Sequence, residues 1–349
     1  MYDYLRPLLF ALDAETAHRI TLYALGVAQR SRLMRLVLAE SPLAAPVRAF
    51  GIDFPNPVGL AAGLDKNGEH LDALAALGFG FIEVGTVTPR PQAGNPTPRL
   101  FRLPQHQAII NRMGFNNAGV DACLRHIDNA DYDGVLGINI GRNKDTPNER
   151  AADDYLYCLQ RVYQRASYVT VNISSPNTRD LRDLQRGESL RRFIGTLRDA
   201  QERLGSQAGT RTPMLLKIAP DLDEAELDAI ADVLIDSGID GVICTNTTTR
   251  RDDLGNEPHT NESGGLSGRP LFDRATDVLR GMRRRMGTAV PLIGVGGILE
   301  GDHAASKLEA GATLVQIYTG LIYRGPALVA ECVEEILRRD ALTTETHHA

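Results

Sequence analysis

The sequence predicts an α/β protein in which eight parallel strands close into a (β/α)8 TIM barrel, with a short two-helix extension at the N-terminus. From about residue 57, short apolar segments alternate with amphipathic helical patterns, which is typical of a parallel sheet covered by helices. The alternation repeats eight times, and eight repeats favour closure into a barrel. Each apolar segment also ends in small or polar residues. Barrels of this kind carry their active sites at those strand ends.

Length and composition limit the alternatives. A chain of 349 residues with 43% hydrophobic content can bury a large core, and α/β barrels commonly reach about 250 residues as one domain. We expect a helical extension over 1–40, a barrel over 41–340 and a disordered tail over 341–349. The net charge of −6 argues against nucleic acid as a partner. The four cysteines lack the spacing of a metal site, so we expect free thiols and no metal.

The N-terminal extension differs in character from the rest of the chain. Residues 1–38 carry five arginines against three acidic residues, although the whole protein is acidic. Apolar residues recur at helical spacing over 5–12 and again over 17–27, after Asp13, which is placed to cap a helix. No run approaches the ~20 apolar residues that a membrane span needs. The pattern fits a helical pair packed on the barrel, and it also fits a basic amphipathic device for a membrane surface.

The eight predicted strands are short and rich in aliphatic residues. They cover residues 58–61, 80–84, 135–139, 168–173, 214–218, 241–245, 291–295 and 314–318. Between them lie helical patterns such as 224–236, ended by Gly238, and 302–310, ended by Gly311. The segment 99–113 alternates around Pro104 instead and predicts an inserted hairpin near the barrel mouth.

Amide side chains collect around the predicted barrel mouth. An amide both donates and accepts hydrogen bonds, so a cluster suits a flat ring with adjacent C=O and N–H groups. A single asparagine is more often a turn or cap residue, but these cluster at the rim. They are Asn111, Asn139, Asn172, Asn177 and Asn246.

Glycines and lysines add a second signal. Gly265–Gly268, residues 294–297 and Gly320 would expose backbone N–H groups near the last two strands, where this fold places phosphate sites. Lys66 and Lys217 could each be a Schiff-base nucleophile, a counter-charge for an anion or part of a structural ion pair. A phosphate site beside ring-binding amides and cations suggests flavin mononucleotide (FMN), one per chain. Lys217 would then neutralise the negative charge of the reduced flavin.

Five motifs resemble those of the dihydroorotate dehydrogenase family. They are AAGLDK at 61–66, VGTVTP at 84–89, NRMGFN at 111–116, NISSPNT at 172–178 and GVGG at 294–297. The resemblance covers nearly the whole chain apart from its C-terminal end. Ser175 stands where the soluble class of the family carries cysteine. Together with the N-terminal helices, this serine makes the chain similar to the quinone-dependent, membrane-associated class.

The resemblance implies oxidation of (S)-dihydroorotate to orotate in pyrimidine biosynthesis. Ser175 would be the general base that takes a proton from C5 of dihydroorotate, while hydride passes from C6 to N5 of the flavin. The residues that would hold the substrate are Lys66, Asn111, Arg112, Met113, Gly114, Phe115, Asn172, Asn177, Asn246 and Thr247. Those that would hold FMN are Ala62, Gly63, Leu64, Asp65, Lys66, Thr86, Asn139, Asn172, Lys217, Thr245, Gly268, Gly297, Tyr318 and Thr319.

The resemblance also gives the N-terminal helices a role. In the family they form an apolar tunnel from the bilayer to the flavin, through which ubiquinone or menaquinone removes the electrons. His18, Arg102 and Tyr318 match the polar end of that tunnel. The protein would then be a monomeric peripheral membrane protein on the cytoplasmic side of the cell membrane.

Serine is a weak base, and the sequence places no histidine near Ser175 to activate it. His106 is the nearest candidate at the rim, but it belongs to the inserted hairpin, so we do not expect direct contact. We expect a water chain or the hydroxyl of Thr178 to carry the proton outward. The charged segment 178–187 is expected to form a lid over the substrate.

Three other functions predict different features of the sequence or the protein. A soluble dihydroorotate dehydrogenase that uses fumarate or NAD would carry cysteine at position 175 and would not need residues 1–40. A flavin-free barrel lyase or isomerase would use Lys217 as its covalent nucleophile and would be colourless. A membrane-docked binding scaffold without catalysis would not need polar groups at eight strand ends.

Overall fold

The computed structural model describes residues 2–31, 43–252 and 254–346. Its strands are β1 (Val47–Ala49), β2 (Ile52–Phe54), β3 (Val58–Leu60), β4 (Phe81–Val87), β5 (Leu100–Leu103), β6 (Ala108–Asn111), β7 (Val135–Ile140), β8 (Tyr168–Asn172), β9 (Met214–Ile218), β10 (Gly241–Cys244), β11 (Gly265–Gly268), β12 (Leu292–Val295) and β13 (Leu314–Ile317). Its α-helices are α1 (Tyr2–Ala11), α2 (Ala14–Arg30), α3 (Leu71–Ala75), α4 (Val120–Asp128), α5 (Ala151–Val162), α6 (Gly187–Ala208), α7 (Glu224–Ser237), α8 (Phe272–Met286), α9 (Gly301–Glu309), α10 (Thr319–Arg324) and α11 (Ala327–Thr346).

Eight of these strands form the closed parallel barrel that the sequence predicts. Their order around the barrel is β3, β4, β7, β8, β9, β10, β12 and β13, and β13 pairs with β3 to close it. All eight predicted strands are confirmed. The strands are buried on both faces because helices cover the outside of the barrel, which explains their continuous apolar sequences. The predicted helix end at Gly238 is also confirmed, since this residue follows α7 in the left-handed conformation.

Aromatic rings close the amino end of the barrel. The hairpin β1–β2 places Phe54 against Phe81, with ring centroids 5.2 Å apart. Phe81 and Tyr168 each lie against a glycine, since a Cβ at Gly59 or Gly137 would come within 2.3 Å of the neighbouring ring. Glycine on one strand therefore makes room for a large ring on the next. Since this end is filled by packed side chains, a ligand has access from the carboxyl end.

The predicted hairpin is confirmed as strands β5 and β6, and a third strand joins it. Strand β11 pairs antiparallel with β6, although the sequence analysis treated Gly265–Gly268 as a phosphate-binding loop. The glycines serve a close approach between segments of the chain. A Cβ at Gly265 would lie 1.9 Å from Thr247 Oγ1, and one at Gly268 would lie 2.2 Å from the Gln107 carbonyl oxygen. This short glycine strand has little apolar pattern, so the sequence did not reveal it.

The N-terminal extension consists of the two predicted helices. Asp13 caps α2 by accepting a hydrogen bond from the backbone N–H of Thr16 at 2.8 Å. Helix α1 buries none of its residues, and α2 buries only Ala17 and Leu22. The domain boundary predicted at residue 40 lies outside the described residues. Within the described ranges, no helix has the length and apolarity to cross a membrane.

The C-terminal helix α11 crosses the other predicted boundary. It continues to Thr346, so the division expected at residue 340 falls inside a helix, and residues 341–346 are helical where a disordered tail was expected. Residues 347–349 lie outside the described part of the chain.

Candidate active site

A cavity opens at the carboxyl ends of the barrel strands. Including its mouth, it contains about 1010 Å³ of space not filled by protein atoms. Most of the residues predicted for the site line this cavity. They are Ala62, Gly63, Lys66, Thr86, Asn111, Met113, Gly114, Phe115, Asn172, Ser175, Asn177, Lys217, Thr245, Asn246, Thr247, Gly268, Gly297, Tyr318 and Thr319.

Four predicted ligand-binding residues lie outside the lining. Asp65 accepts backbone N–H hydrogen bonds within its own loop. Arg112 turns outward and pairs with Glu262 at 2.5 Å. Leu64 packs in the main hydrophobic core, and Asn139 is fully buried beneath the lining. None of these four residues forms part of the cavity lining.

A buried carboxylate lies below the cavity in the centre of the barrel. Glu83 accepts hydrogen bonds from Asn139 Nδ2 (2.8 Å), Tyr168 OH (2.9 Å), Thr170 Oγ1 (3.2 Å) and Gln316 Nε2 (2.8 Å). A buried charge is costly unless it is hydrogen-bonded, and these four donors meet that requirement. The sequence analysis missed Glu83, although a charged residue inside an apolar strand was a usable signal.

A chain of hydrogen bonds connects Glu83 to the side chains at the cavity surface. Because Asn139 Nδ2 donates to Glu83, its Oδ1 is free to accept from Thr86 Oγ1 at 2.6 Å. Asn172 Nδ2 donates to Thr86 Oγ1 at 3.0 Å, and Asn172 Oδ1 accepts from Ser174 Oγ at 3.0 Å. The carboxylate thus fixes the orientation of both amides, since each has one donating and one accepting end.

Ser175 follows β8, lines the cavity and is 5% exposed. Its Oγ accepts a hydrogen bond from the backbone N–H of Asn177 at 3.2 Å. Asn177 Nδ2 in turn donates to the carbonyl oxygen and to Oδ1 of Asn111, both at 3.0 Å. His106 lies elsewhere, with Nε2 2.9 Å from the carbonyl oxygen of Leu254. The serine is therefore held by the backbone of Asn177, whose side chain belongs to the predicted amide cluster, and no histidine is engaged with it in the described residues.

Two lysines, the buried Lys217 and the partly buried Lys66, give the cavity a positive character. Burial lowers the pKa of Lys217, and the negative charge of Glu83 opposes that shift. Burial also lowers the pKa of Lys66 to about 7, with a further lowering by Arg99 and an opposing effect of Glu15. Because each ammonium lacks most of its water, an anionic ligand would restore much of the lost stabilisation.

Glycine allows the loop after β12 to approach the start of helix α8. A Cβ at Gly297 would lie 2.4 Å from Phe272 Cβ and 2.7 Å from Phe272 N. Gly296 and Gly297 also have φ values of +104° and +79°, a region that other residues rarely adopt. The first turn of α8 therefore lies beside the cavity wall. Helix N-termini bind phosphate through their free N–H groups.

The three residues predicted for the quinone site lie on the extension, on β5 and in the cavity lining. Tyr318 lines the cavity, and burial raises its pKa to about 12. His18 is half-buried in α2, and desolvation, together with the charge of Lys66, lowers its pKa to about 4. Arg102 on β5 donates to the carbonyl oxygen of Leu9 at 3.0 Å.

The cavity wall also contains residues that the sequence analysis did not predict. They are Ala61, Leu271, Ile298, Gln316 and Ile317. Most are apolar, and such residues become part of a site only through their position in the fold. Gln316 is an exception, since a polar residue within an apolar strand is visible in the sequence.

Comparisons with known proteins agree with this geometry. The model of the family "Dihydroorotate dehydrogenase" matches residues 44–339. A protein from Flavobacterium lutescens named "Dihydroorotate dehydrogenase (quinone)" is 61% identical over 340 residues, covering 97% of each chain. One of the same name from Stenotrophomonas maltophilia (strain K279a) is 60% identical over 341 residues, again covering 97% of each chain. A crystal structure of DHODH from Eimeria tenella in complex with ferulenol superposes with a TM-score of 0.85 at 39% identity, covering 95% of this chain and 92% of that one.

Proposed function

Because the chain belongs to the dihydroorotate dehydrogenase family, we propose that the cavity at the barrel mouth is its active site and that Ser175 is the catalytic base. The protein oxidises dihydroorotate to orotate in pyrimidine biosynthesis, with FMN as cofactor and a quinone as electron acceptor. The assignment of individual residues rests on one main observation. Ser175, four of the five clustered amides and the two lysines Lys66 and Lys217 line a single cavity.

The residues of the cavity fit FMN. Bound FMN supplies the hydride acceptor and passes the electrons to the quinone. Gln316 Oε1 is buried and has no hydrogen-bond partner among the described residues, so it suits an N–H group at the edge of a flavin ring. Lys217 offers a positive charge to the ring, and the loop at Gly296 and Gly297 offers backbone donors to the phosphate.

The amide cluster suits the dihydropyrimidine ring. Asn111, Asn172, Asn177 and Asn246 all line the cavity, and their hydrogen bonds to one another leave other donors and acceptors for the ring. Lys66 lies on the same cavity wall and would pair with the substrate carboxylate. These contacts would present C5 of dihydroorotate to Ser175.

Ser175 would remove the proton from C5. Its Oγ accepts an N–H hydrogen bond from Asn177, and such a bond favours the deprotonated form of a hydroxyl. The proton taken up would leave through water or through the hydroxyl of Thr178, which is buried three residues further along the chain. This geometry holds the base in place while the ring is oxidised.

Two experiments test these roles. Purified protein should contain flavin whose spectrum bleaches with dihydroorotate and recovers when quinone is added. In a stopped-flow measurement, Ser175→Ala should slow flavin reduction by about 10²–10⁴-fold while flavin stays bound. Ser206→Ala, which removes a surface hydroxyl of helix α6, should have no effect. Near-normal flavin reduction by Ser175→Ala, or a colourless and fully active protein, would exclude this mechanism.

The extension is proposed to bind the membrane surface as part of a monomeric, peripheral protein on the cytoplasmic side. Tyr4, Leu8 and Tyr23 are 85%, 69% and 73% exposed, which is unusual for large apolar side chains on neighbouring helices. His18 and Arg102 would then mark the polar end of the quinone path. Co-sedimentation with anionic vesicles tests the proposal, and a protein that stays in solution at low ionic strength would contradict it.

A further inference from the structure

One guanidinium joins three loops at the mouth of the cavity. Arg182 lies in the short 3-10 helix Leu181–Gln185. It donates from Nε to Ser174 O (3.0 Å), from Nη1 to Asp221 Oδ2 (2.9 Å) and from Nη2 to Thr247 O (2.8 Å). The three acceptors follow β8, β9 and β10, which are neighbouring strands of the barrel. All three nitrogens of the side chain are therefore used.

We propose that Arg182 is a positioning residue for proton abstraction, and this inference rests on the proposed role of Ser175. The carbonyl group of Ser174 and the backbone nitrogen of Ser175 belong to one planar peptide unit. A bond to Ser174 O therefore fixes the plane from which Ser175 projects. The bond to Thr247 O attaches a second part of the cavity lining to the same side chain, so the base and the substrate site keep a constant separation.

Asp221 neutralises the charge of Arg182, so we expect Arg182 to act by holding the loops in position and not by adding a net positive charge to the site. Its carboxylate pairs with Arg182 and also accepts hydrogen bonds from Thr248 Oγ1, Thr249 N and Thr249 Oγ1. Burial acts to raise the pKa of Asp221, but these hydrogen bonds outweigh it and hold the pKa below its usual value. The carboxylate is thus ionised at neutral pH and neutralises the guanidinium.

The segment that carries Arg182 is itself well anchored. Gln185 Nε2 donates to Ile173 O at 3.3 Å, and its Oε1 accepts from Ala219 N at 3.0 Å. Leu181 and Leu184 are buried. If the segment 178–187 moves as a lid, its opening must break the bonds of Arg182 to Ser174 and Thr247. The base would then be held in place only while the lid is closed.

A double-mutant cycle with Ser175→Ala tests the proposal, with flavin reduction by saturating dihydroorotate as the measured rate. Arg182→Met should slow the reaction by about 10²-fold in the native background, because a displacement of about 1 Å at a reacting group can cost that much. In the Ser175→Ala background the same change should have less than about a twofold effect, since groups that act as a unit are not additive. Arg182→Lys should recover only part of the rate, because one ammonium cannot reach three acceptors at once.

The control lies on the same segment. Arg179 is 90% exposed, so Arg179→Met should leave the rate unchanged. If Arg182→Met does not fold, Asp221→Asn serves as the second variant, because it keeps the guanidinium but removes its ionic partner. Asp221→Asn should lower the rate of flavin reduction less than Arg182→Met, and this effect should also vanish in the Ser175→Ala background. The positioning role would be overturned if Arg182→Met, or Asp221→Asn, lowered the rate of flavin reduction by the same factor in the native and in the Ser175→Ala background. It would also be overturned if Arg182→Met bound flavin and reduced it at the native rate. A normal rate in Ser175→Ala alone would instead overturn the proposed function.

Discussion

The barrel rim buries polar side chains, whereas the N-terminal extension exposes apolar ones. At the rim, Asn172 and Ser175 are 4% and 5% exposed and are held by hydrogen bonds. In the extension, Tyr4 and Tyr23 are more than two thirds exposed. The polar groups of the rim are thus satisfied by hydrogen bonds within the chain, whereas the extension presents an apolar surface that suits contact with lipid. This difference fits the two proposed half-reactions: a rigid, desolvated rim for substrate oxidation and an apolar surface for electron delivery to a quinone.

The largest effect is expected from Glu83, on which the order of the rim depends. Glu83→Ala would leave buried donors unsatisfied, since Asn139, Tyr168, Thr170 and Gln316 all donate to this carboxylate. We expect a loss of about 3–5 kcal/mol in the free energy of unfolding and loss of bound flavin. Denaturant unfolding and the flavin content of the purified variant measure both.

A surface carboxylate gives the matched control. Asp53 is 78% exposed and pairs with Arg48, so Asp53→Ala should cost less than about 1 kcal/mol. Similar losses for the two variants would show that the network at the barrel centre does not organise the rim.

A change of intermediate size is expected when the pH is lowered, because acid should weaken the docking of helix α2 on the barrel. The pKa of His18 is about 4 when α2 is docked and about 6.5 in an exposed histidine. Between these values the undocked state binds more protons, so docking is stable near pH 7 and weakens as the pH falls from about 6.5 toward 4. The protection of α2 against hydrogen exchange, corrected for the intrinsic chemical rate, should therefore fall at pH 5, while the barrel strands stay protected.

His18→Gln provides the control, since glutamine does not titrate in this range. Exchange in its α2 should not depend on pH beyond the intrinsic chemical rate. An equal acid response in this variant and in the native protein would place the pH sensitivity elsewhere.

The smallest effect on stability is expected from the exposed face of the extension. Tyr23→Ser should change the free energy of unfolding by less than about 0.5 kcal/mol, yet it should weaken vesicle binding by about tenfold, because the ring is proposed to bury its apolar surface in lipid. Tyr157→Ser on the barrel helix α5, where the ring is 43% exposed, should leave vesicle binding unchanged. Equal binding by both variants would argue against a membrane-facing extension.

The sequence predicted the barrel well because its signals are local. Apolar strands, helix ends such as Gly238 and the cap at Asp13 depend on neighbouring residues, and each is confirmed. Strand β11 was missed because two of its four residues are glycines whose role is close contact with distant backbone. The continuation of helix α11 to Thr346 was missed as well, since that segment is too polar to show a strong amphipathic pattern.

For the site, the strand ends predicted most of the cavity lining, because parallel strands in a barrel bring their carboxyl ends together. The sequence could not separate residues that line the cavity from those that support them. Asp65 and Arg112 belong to recognisable motifs but face other partners. The three loops joined by Arg182 are up to 73 residues apart in sequence, from Ser174 to Thr247. A contact of that kind depends on tertiary structure alone.

The most direct test of the separate roles of the barrel rim and the extension is to delete residues 1–38. Flavin reduction by dihydroorotate and flavin reoxidation by quinone are then measured in one stopped-flow series. We predict that dihydroorotate reduces the bound flavin of the shortened protein at the native rate, whereas reoxidation by a long-chain quinone in vesicles becomes far slower. A soluble dye should still reoxidise the flavin, which controls for damage to the barrel. Unchanged quinone turnover and membrane recruitment after the deletion would contradict the account.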